Sequence, residues 1–331
     1  MNDLLRLNLI GSSDIFQQTC RHIEKIARVD ATVLIAGETG TGKELAARAI
    51  HYQSNRCGKP FIPINCGAFP EALIESELFG QDRGSFTDAK AATPGLVSEA
   101  DGGSMFLDEV DALSLKAQAA ILRFLQDKTY RQVGSCTQRQ ADVRIIVASN
   151  ANLEKLVENR QFRLDLLYRV NVLVLRIPPL RLRHGDALEL ATHFLHQFSR
   201  QYRLPAKTLH RSAHEFLVEH NWPGNIRELE NVIHREFLMS EGTEIYLNNS
   251  FINSANALSQ VSFNMAKALA IHAFEKKYLH ECITQTDGNL SQAARLTGQD
   301  RSAFGKLARK YGIAQTELES ADPRLDKITT K

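Results

Sequence analysis

The stretch that most constrains this chain is Gly37-Glu38-Thr39-Gly40-Thr41-Gly42-Lys43-Glu44. It lies between an apolar run, Thr32–Ala36, and a helix-like segment, Leu45–Ile50. A G-x-x-x-x-G-K spacing that follows a strand and opens a helix is the context of a phosphate-binding loop. Glycines let the backbone close round phosphate oxygens, and successive N–H groups with the helix N-terminus present positive potential to the anion. Lys43 then reaches the β- and γ-phosphates. Glu44 stands where a hydroxyl residue commonly meets magnesium, so the metal has to be held from elsewhere.

A second element supports the first. Met105–Leu107 is apolar and runs into Asp108 and Glu109. A buried strand that ends in two carboxylates has the form of a Walker B element. Asp108 is the candidate Mg²⁺ ligand, directly or through water. Glu109 is the candidate base that orients and deprotonates an attacking water. Asn65 and Asn150 end two further apolar runs, Phe61–Asn65 and Val143–Ser149. Ligands gather at the carboxyl ends of parallel strands, which puts both residues beside the same phosphates. Each also serves as an ordinary turn residue in such a position.

With Val172–Arg176 these runs make five strand candidates, separated by helical patterns such as Lys43–His51 and Ser114–Gln126. Strands alternating with helices predict an α/β domain, a parallel sheet covered on both faces. After Pro178-Pro179 the pattern turns helical: Asp186–Tyr202, Ser212–His220 and Asn225–Met239, with no convincing strand. Asn248–Asn264, rich in Asn and Ser, reads as a linker. A long helical pattern, Ala266–Thr286, and two short ones, Ser291–Leu296 and Arg301–Tyr311, follow.

Composition narrows the class. The 331 residues carry 40 Lys and Arg against 38 Asp and Glu, and 43% are hydrophobic. That excludes wholesale disorder and a globally basic nucleic-acid binder, though not a local basic patch. No apolar run approaches the ~18 residues a membrane span needs, and the N-terminus has no signal-peptide pattern. Cys20, Cys57, Cys66, Cys136 and Cys282 are scattered, odd in number and without C-x-x-C. A disulfide framework or zinc site is not expected, and a reducing cytoplasm fits best.

Beyond these elements the chain resembles the AAA+ ATPase activators of sigma-54 RNA polymerase, the bacterial enhancer-binding proteins. The resemblance runs from about Leu9 to Ile313. It rests on GETGTGKE, ESELFG, GSFTDA, DGGSMFLDEV, FRLDLLYRVNVLVLRIPPLRLR and WPGNIRELEN, in that order. It implies ATP and Mg²⁺ as cofactors and Gly37, Glu38, Thr39, Gly40, Thr41, Gly42, Lys43, Glu44, Asp108, Asn150 and Arg227 as nucleotide-site residues. Arg163 and Arg169 resemble the arginines that one subunit inserts into its neighbour's ATP site, which implies a ring, a hexamer by similarity. Asn65 resembles the switch residue that holds Glu109 away from water, Asn150 the first sensor and Arg227 the lid's sensor arginine. Gly84–Ala89 resembles the GAFTGA loop that touches sigma-54, with Phe86 and Thr87 as contacts. Ser85 and Asp88 depart from that pattern, replacing Ala and Gly. Asp adds a charge and loses glycine's access to positive φ.

The C-terminal end reads as helix, glycine turn, helix, with Ala293, Ala294, Leu296, Phe304 and Leu307 as the apolar contact. Between residues 289 and 313 the bases Arg295, Arg301, Lys306, Arg309 and Lys310 face Asp300 alone. A local basic excess suits phosphate contacts. The segment resembles a Fis-type helix-turn-helix, with Arg301, Ser302, Lys306 and Arg309 directed at a major groove and the long preceding helix dimerising on a palindromic site. Gly305 departs from the aromatic expected there.

The expected plan is therefore residues 1–180 as the AAA+ α/β subdomain and 181–247 as a helical lid. Residues 248–264 form a linker, 265–314 the helix-turn-helix and 315–331 a flexible tail. With Met1 about ten residues before the first matching segment, the expectation is a short form without an N-terminal regulatory domain. Its activity would then be set by expression level or in trans, by a regulatory protein or related subunit. The implied function is an ATP-hydrolysing activator that opens sigma-54 promoters. The alternative, resting on Asp88, is a DNA-binding regulator of the same fold that does not act through sigma-54, either a repressor or a co-activator.

Overall fold

The five apolar runs pair into one parallel sheet: β1 (Val33–Ala36), β2 (Phe61–Asn65), β3 (Ser104–Asp108), β4 (Arg144–Ser149) and β5 (Leu173–Arg176), in the order β2-β3-β4-β1-β5. Every neighbouring pair is parallel. A computed structural model of the chain describes residues 8–82 and 93–247. Towards the C-terminus it describes residues 278, 279, 282, 283, 286, 290–298, 300, 301 and 304. The chain divides into two compact units, Met1–Leu247 and Asn248–Lys331.

The inner strands β1, β3 and β4 read as continuous apolar runs because both faces of the sheet are covered there, while the edge strands β2 and β5 are only partly buried. Side chains alternate between two cores. Val33, Ile35, Phe106, Ile146 and Ala148 pack with helices α1 (Asp14–Ala27) and α2 (Lys43–Tyr52). Leu34, Met105, Leu107, Ile145 and Val147 pack with α3 (Glu71–Phe79), α4 (Leu115–Asp127) and α5 (Leu164–Val170). The period of two puts every second strand residue on each side. Arg144, although buried, satisfies its guanidinium on the carbonyls of Ile26, Ala27 and Ala31, where α1 ends. A buried charge is tolerable when hydrogen-bonded in this way.

Two short antiparallel pairs were not legible as strands: Gly80–Gln81 with Thr93–Pro94, and Thr129–Arg131 with Gln138–Gln140. Runs of two or three residues carry no usable periodicity. The first pair brackets residues 83–92, so Phe86 and Thr87 lie outside the described residues.

Past Pro179 a short turn, Leu180–Leu182, leads into α6 (Asp186–Tyr202), α7 (Arg211–Glu219) and α8 (Asn225–Met239). Leu190, Phe194 and Phe198 of α6 are buried, as are Leu229, Ile233 and Phe237 of α8, and the Phe198 and Phe237 rings lie 6.0 Å apart. The lid is not purely helical as expected. Thr208–Leu209, between α6 and α7, pairs in parallel with Glu244–Ile245, which follows α8.

In the second unit, α9 (Leu290–Leu296) is followed by Gly298 at φ 65°, a left-handed turn position that suits glycine. Ala293, Ala294 and Phe304 are buried with Leu279, Cys282 and Ile283. The expected contact fails at one point: Leu296 is 62% exposed. It lies roughly 110° round the helix from the middle of the face that Ala293 and Ala294 present. Leu307 lies outside the described residues.

Candidate active site

β1 delivers the chain to its carboxyl end at Ala36, level with Ser149 at the end of β4. There Gly37 N–H donates to the Ser149 carbonyl at 3.3 Å. Gly40 and Gly42 sit at φ 77° and 91°, a conformation that side chains resist. Lys43, 8% exposed, folds back into this loop: its Nζ donates to the carbonyls of Gly37 at 3.0 Å and Glu38 at 3.2 Å. Burial lowers its pKa from the ordinary lysine value, and Asp108, Asp111 and Glu109 oppose that shift. Thr41 Oγ1 donates to the Glu38 carbonyl at 2.8 Å, and Asn150 Nδ2 donates to Thr39 Oγ1 at 2.9 Å. Glu44 turns outward to an ion pair with Arg48 at 2.8 Å.

The acids arrive from the neighbouring strand. Asp108 ends β3 level with Asn65 at the end of β2. Glu109 follows at φ 54°, and its N–H donates to Asp108 Oδ1 at 3.0 Å. A left-handed non-glycine residue costs of order 1 kcal/mol and persists where its surroundings fix it. Here the turn aims Glu109 at Gly67. A Cβ on Gly67 would stand 2.6 Å from Glu109 Oε2, so a larger residue there would displace the Glu109 carboxylate. Asn65 Oδ1 accepts the Gly67 N–H at 2.8 Å, and among the described residues Asn65 and Glu109 share no hydrogen bond. Cys66, beside them, is pushed up to about 12, by burial first and then by Asp108, Asp111 and Glu109. Its thiol stays protonated.

Asp111, which the sequence reading passed over, accepts a hydrogen bond from Ser149 Oγ at 2.6 Å. An acid three positions beyond the strand's own Asp was the available signal. The carboxylates of Asp108, Glu109 and Asp111 all act on Lys43. A hard cation held by one or two carboxylates plus phosphate oxygens fits such a donor set.

The lid closes on the same loop. The Ile226 N–H donates to the Gly40 carbonyl at 3.0 Å. A Cβ on Gly40 would meet Gly224 O at 2.3 Å and Arg227 Cβ at 3.1 Å. Arg227 therefore packs directly over the phosphate loop. Asn225 and Arg181 also reach it and were not singled out from sequence: WPGNIRE draws attention to its arginine, and Arg181 lies 143 positions from Glu38. A cavity of about 190 Å³ opens beside Thr41, lined by Leu9, Ile10, Leu45, Phe194 and Ile226 among others.

The remaining candidates do not join this group. Arg163 pairs with Asp165 at 2.7 Å, and exposed Arg169 donates to the Leu125 carbonyl at 3.0 Å. Neither bonds to the phosphate loop. Arg301 is exposed at the start of a helical position. Ser302, Lys306 and Arg309 lie outside the described residues.

Comparison with known proteins agrees with this fold. The chain matches the Sigma-54 interaction domain family over residues 9–176 and the AAA+ ATPase lid domain family over residues 181–270. The lid match runs on over residues read from sequence as a linker. The chain is 41% identical to the nitrogen fixation protein AnfA of Azotobacter vinelandii over 93% of this chain and 58% of that protein. It is 42% identical to the alginate biosynthesis transcriptional regulatory protein AlgB of Pseudomonas aeruginosa over 87% of this chain and 64% of AlgB. It thus spans about six tenths of the length of these relatives. The solved structure of NtrX from Brucella abortus in complex with ATP superposes with a TM-score of 0.70 at 32% identity, covering 92% of this chain and 69% of that one. A parallel sheet carrying a phosphate loop, a helical lid resting on it and a family match across both make this chain a member of the AAA+ proteins with a sigma-54 interaction domain.

Proposed function

We propose that the chain is an ATP-hydrolysing transcriptional activator that works on sigma-54 RNA polymerase bound at a promoter. The observation that carries this reading is the meeting of Lys43, Asp108, Glu109 and Asn150 at the carboxyl ends of adjacent strands, in a chain whose family is defined by sigma-54 interaction. Gly37 to Gly42 cradle the phosphates, and Lys43 exchanges its bonds to Gly37 and Glu38 for phosphate oxygens. The cavity beside Thr41 takes the base. Asp108 holds Mg²⁺, which screens phosphate charge when bound. Glu109 orients and deprotonates the attacking water, with Asn65 setting its access. Asn150 and Arg227 read phosphate occupancy from the sheet and the lid.

Arg163 and Arg169 act on a neighbouring copy's nucleotide, so hydrolysis belongs to a ring, a hexamer in this reading. Their present partners, Asp165 and the Leu125 carbonyl, are groups they can leave at modest cost on an exposed face. Phe86 and Thr87 touch sigma-54. Residues 265–314 bind upstream DNA through Arg301, Ser302, Lys306 and Arg309. The domain plan stays as proposed from sequence: 1–180, 181–247, 248–264, 265–314 and 315–331. A second reading, regulation without sigma-54, rests on Asp88 in place of the loop's glycine.

The deciding experiment is open-complex formation on a sigma-54 promoter with the purified chain, sigma-54 polymerase and ATP. Opening that requires hydrolysable ATP is the expected result. No opening, alongside normal ATP turnover and DNA binding, would replace this reading with the second one.

A further inference from the structure

A loop built to take a polyphosphate is an adverse place for a carboxylate, since like charges at close range repel. Glu38 puts one there, and the structure accounts for it. Arg181 grips the carboxylate with two bonds, Nη2 to Oε1 at 2.6 Å and Nη1 to Oε2 at 2.8 Å. That fork-on-carboxylate geometry is the strong form of an ion pair. The pair holds the Glu38 carboxyl below its usual range and pushes Arg181 up. Asn225 Nδ2 adds a contact to Glu38 Oε2 at 3.2 Å and another to the Thr39 carbonyl at 3.0 Å. Its Oδ1 accepts the Leu180 N–H at 2.8 Å.

Asn225 is fully buried and sits at φ 53°. Buried amides need partners, and this one finds them on both sides of the subdomain junction. Arg181 comes from the turn that leads into the lid, and Asn225 begins the lid helix α8. Both lid-side groups therefore converge on positions of the phosphate loop that the glycine–lysine pattern leaves unspecified.

We propose that Arg181 and Asn225 form a charge-neutralising latch on Glu38, so that the loop takes a nucleoside polyphosphate at full affinity only while the lid is docked on it. With the latch closed, the Glu38 charge is cancelled by a guanidinium that points at the carboxylate rather than at the ligand. With it open, the carboxylate faces the incoming phosphates. Lid docking and nucleotide binding then strengthen each other by the same factor, as linkage requires. Arg181 and Asn225 are positioning residues here, acting through Glu38. The inference rests on the nucleotide site proposed above.

The test is ATP affinity of the full chain, by calorimetry at low salt, for wild type, Arg181→Ala, Arg181→Lys and the double variant Arg181→Ala/Glu38→Gln. Both side chains are about two-fifths exposed, at 40% and 43%, so the fold tolerates these changes. Arg181→Ala is expected to weaken ATP binding about tenfold, and the penalty to shrink in 0.5 M salt, where exposed charges are screened. Arg181→Lys retains most of the affinity. The double variant binds at least about threefold more tightly than Arg181→Ala, because the unpaired carboxylate has been removed. Turnover follows the same split, with KM for ATP raised and kcat held in Arg181→Ala. A penalty that persists in the double variant, or that ignores salt, would make Arg181 a packing residue and overturn the latch. No effect of Arg181→Ala would overturn it too. Failure of the wild type to bind ATP would instead remove the nucleotide site itself.

Discussion

Two sets of charged residues serve the same proposed reaction, and the fold treats them differently. Lys43, Asp108 and Glu109 are gathered at the carboxyl end of one sheet, where burial and mutual charge already shift Lys43. Arg163 and Arg169 sit at and on α5 and bind Asp165 and the Leu125 carbonyl. The first set is organised by strands buried on both faces, so a single chain builds it. The second lies on an exposed face beside Leu164, Tyr168 and Val172, which are 50%, 72% and 56% exposed. Apolar side chains grouped around charges of that kind mark a surface that a partner covers. On the proposed function, the difference means that one chain carries the groups for binding nucleotide, while those for hydrolysis are divided between two copies.

The largest effect should come from the gathered set. Lys43→Ala removes the cation that reaches the phosphates, and ATP affinity should fall about 100-fold, as expected for losing a charged hydrogen-bond donor. Calorimetry or filter binding reads this, and unchanged affinity would detach the loop from nucleotide altogether. Glu109→Gln should bind ATP as wild type does and lose turnover by about 10²- to 10⁴-fold, the range for a missing general base. Normal turnover in that variant would transfer the base role elsewhere, with Asp111 the next carboxylate to try.

The dispersed set allows a sharper test. Arg169→Ala should bind ATP normally and turn over about 10³-fold more slowly, the lower range for a lost arginine finger. Mixed with Lys43→Ala, it should regain part of the activity. Neighbouring copies then bring an intact Lys43 and an intact Arg169 to one shared site. A mixture no more active than its parents would place both sets within one chain and erase the distinction drawn here.

How far each set could be read in advance follows from the same contrast. The five strands were legible to within one residue: burial on both faces enforces unbroken apolar runs in the three inner strands, and the half-buried edge strands keep enough apolar residues to show. The helices Asp186–Tyr202 and Asn225–Met239 were legible from their amphipathic period. The phosphate loop and Asp108–Glu109 were legible because local backbone geometry demands those residues in sequence. What escaped is what joins distant segments. The Glu38–Arg181 pair spans 143 positions and Asp111–Ser149 spans 38. Neither has a pattern that a single chain can betray. Asn225 was hidden by Arg227 two positions on. The pairing of Thr208–Leu209 with Glu244–Ile245 is too short to carry periodicity. Leu296 looked like core from its residue type, yet its angular position on α9 turns it out.

The smallest effect distinguishes a poised arginine from a merely paired one. Asp165 is held below the usual carboxylate range by its hydrogen bond to Arg163 first, with a smaller contribution from the Leu166 N–H. A carboxyl with a depressed folded-state pKa contributes stability at neutral pH that is lost as pH falls through that depressed value. On an exposed pair the contribution is small, so titration of the Asp165 carboxyl, followed by carbon NMR, is the better readout than a melting curve. If Arg163 leaves Asp165 for a neighbour's phosphate, adding ATP under conditions that assemble the ring should raise the Asp165 pKa towards its ordinary value. In the Arg163→Ala variant the pKa should already stand above its wild-type value, and ATP should not move it. A depressed Asp165 that stays depressed with nucleotide bound would leave Arg163 a surface ion-pair partner, and would leave Arg169 as the single arginine shared between copies.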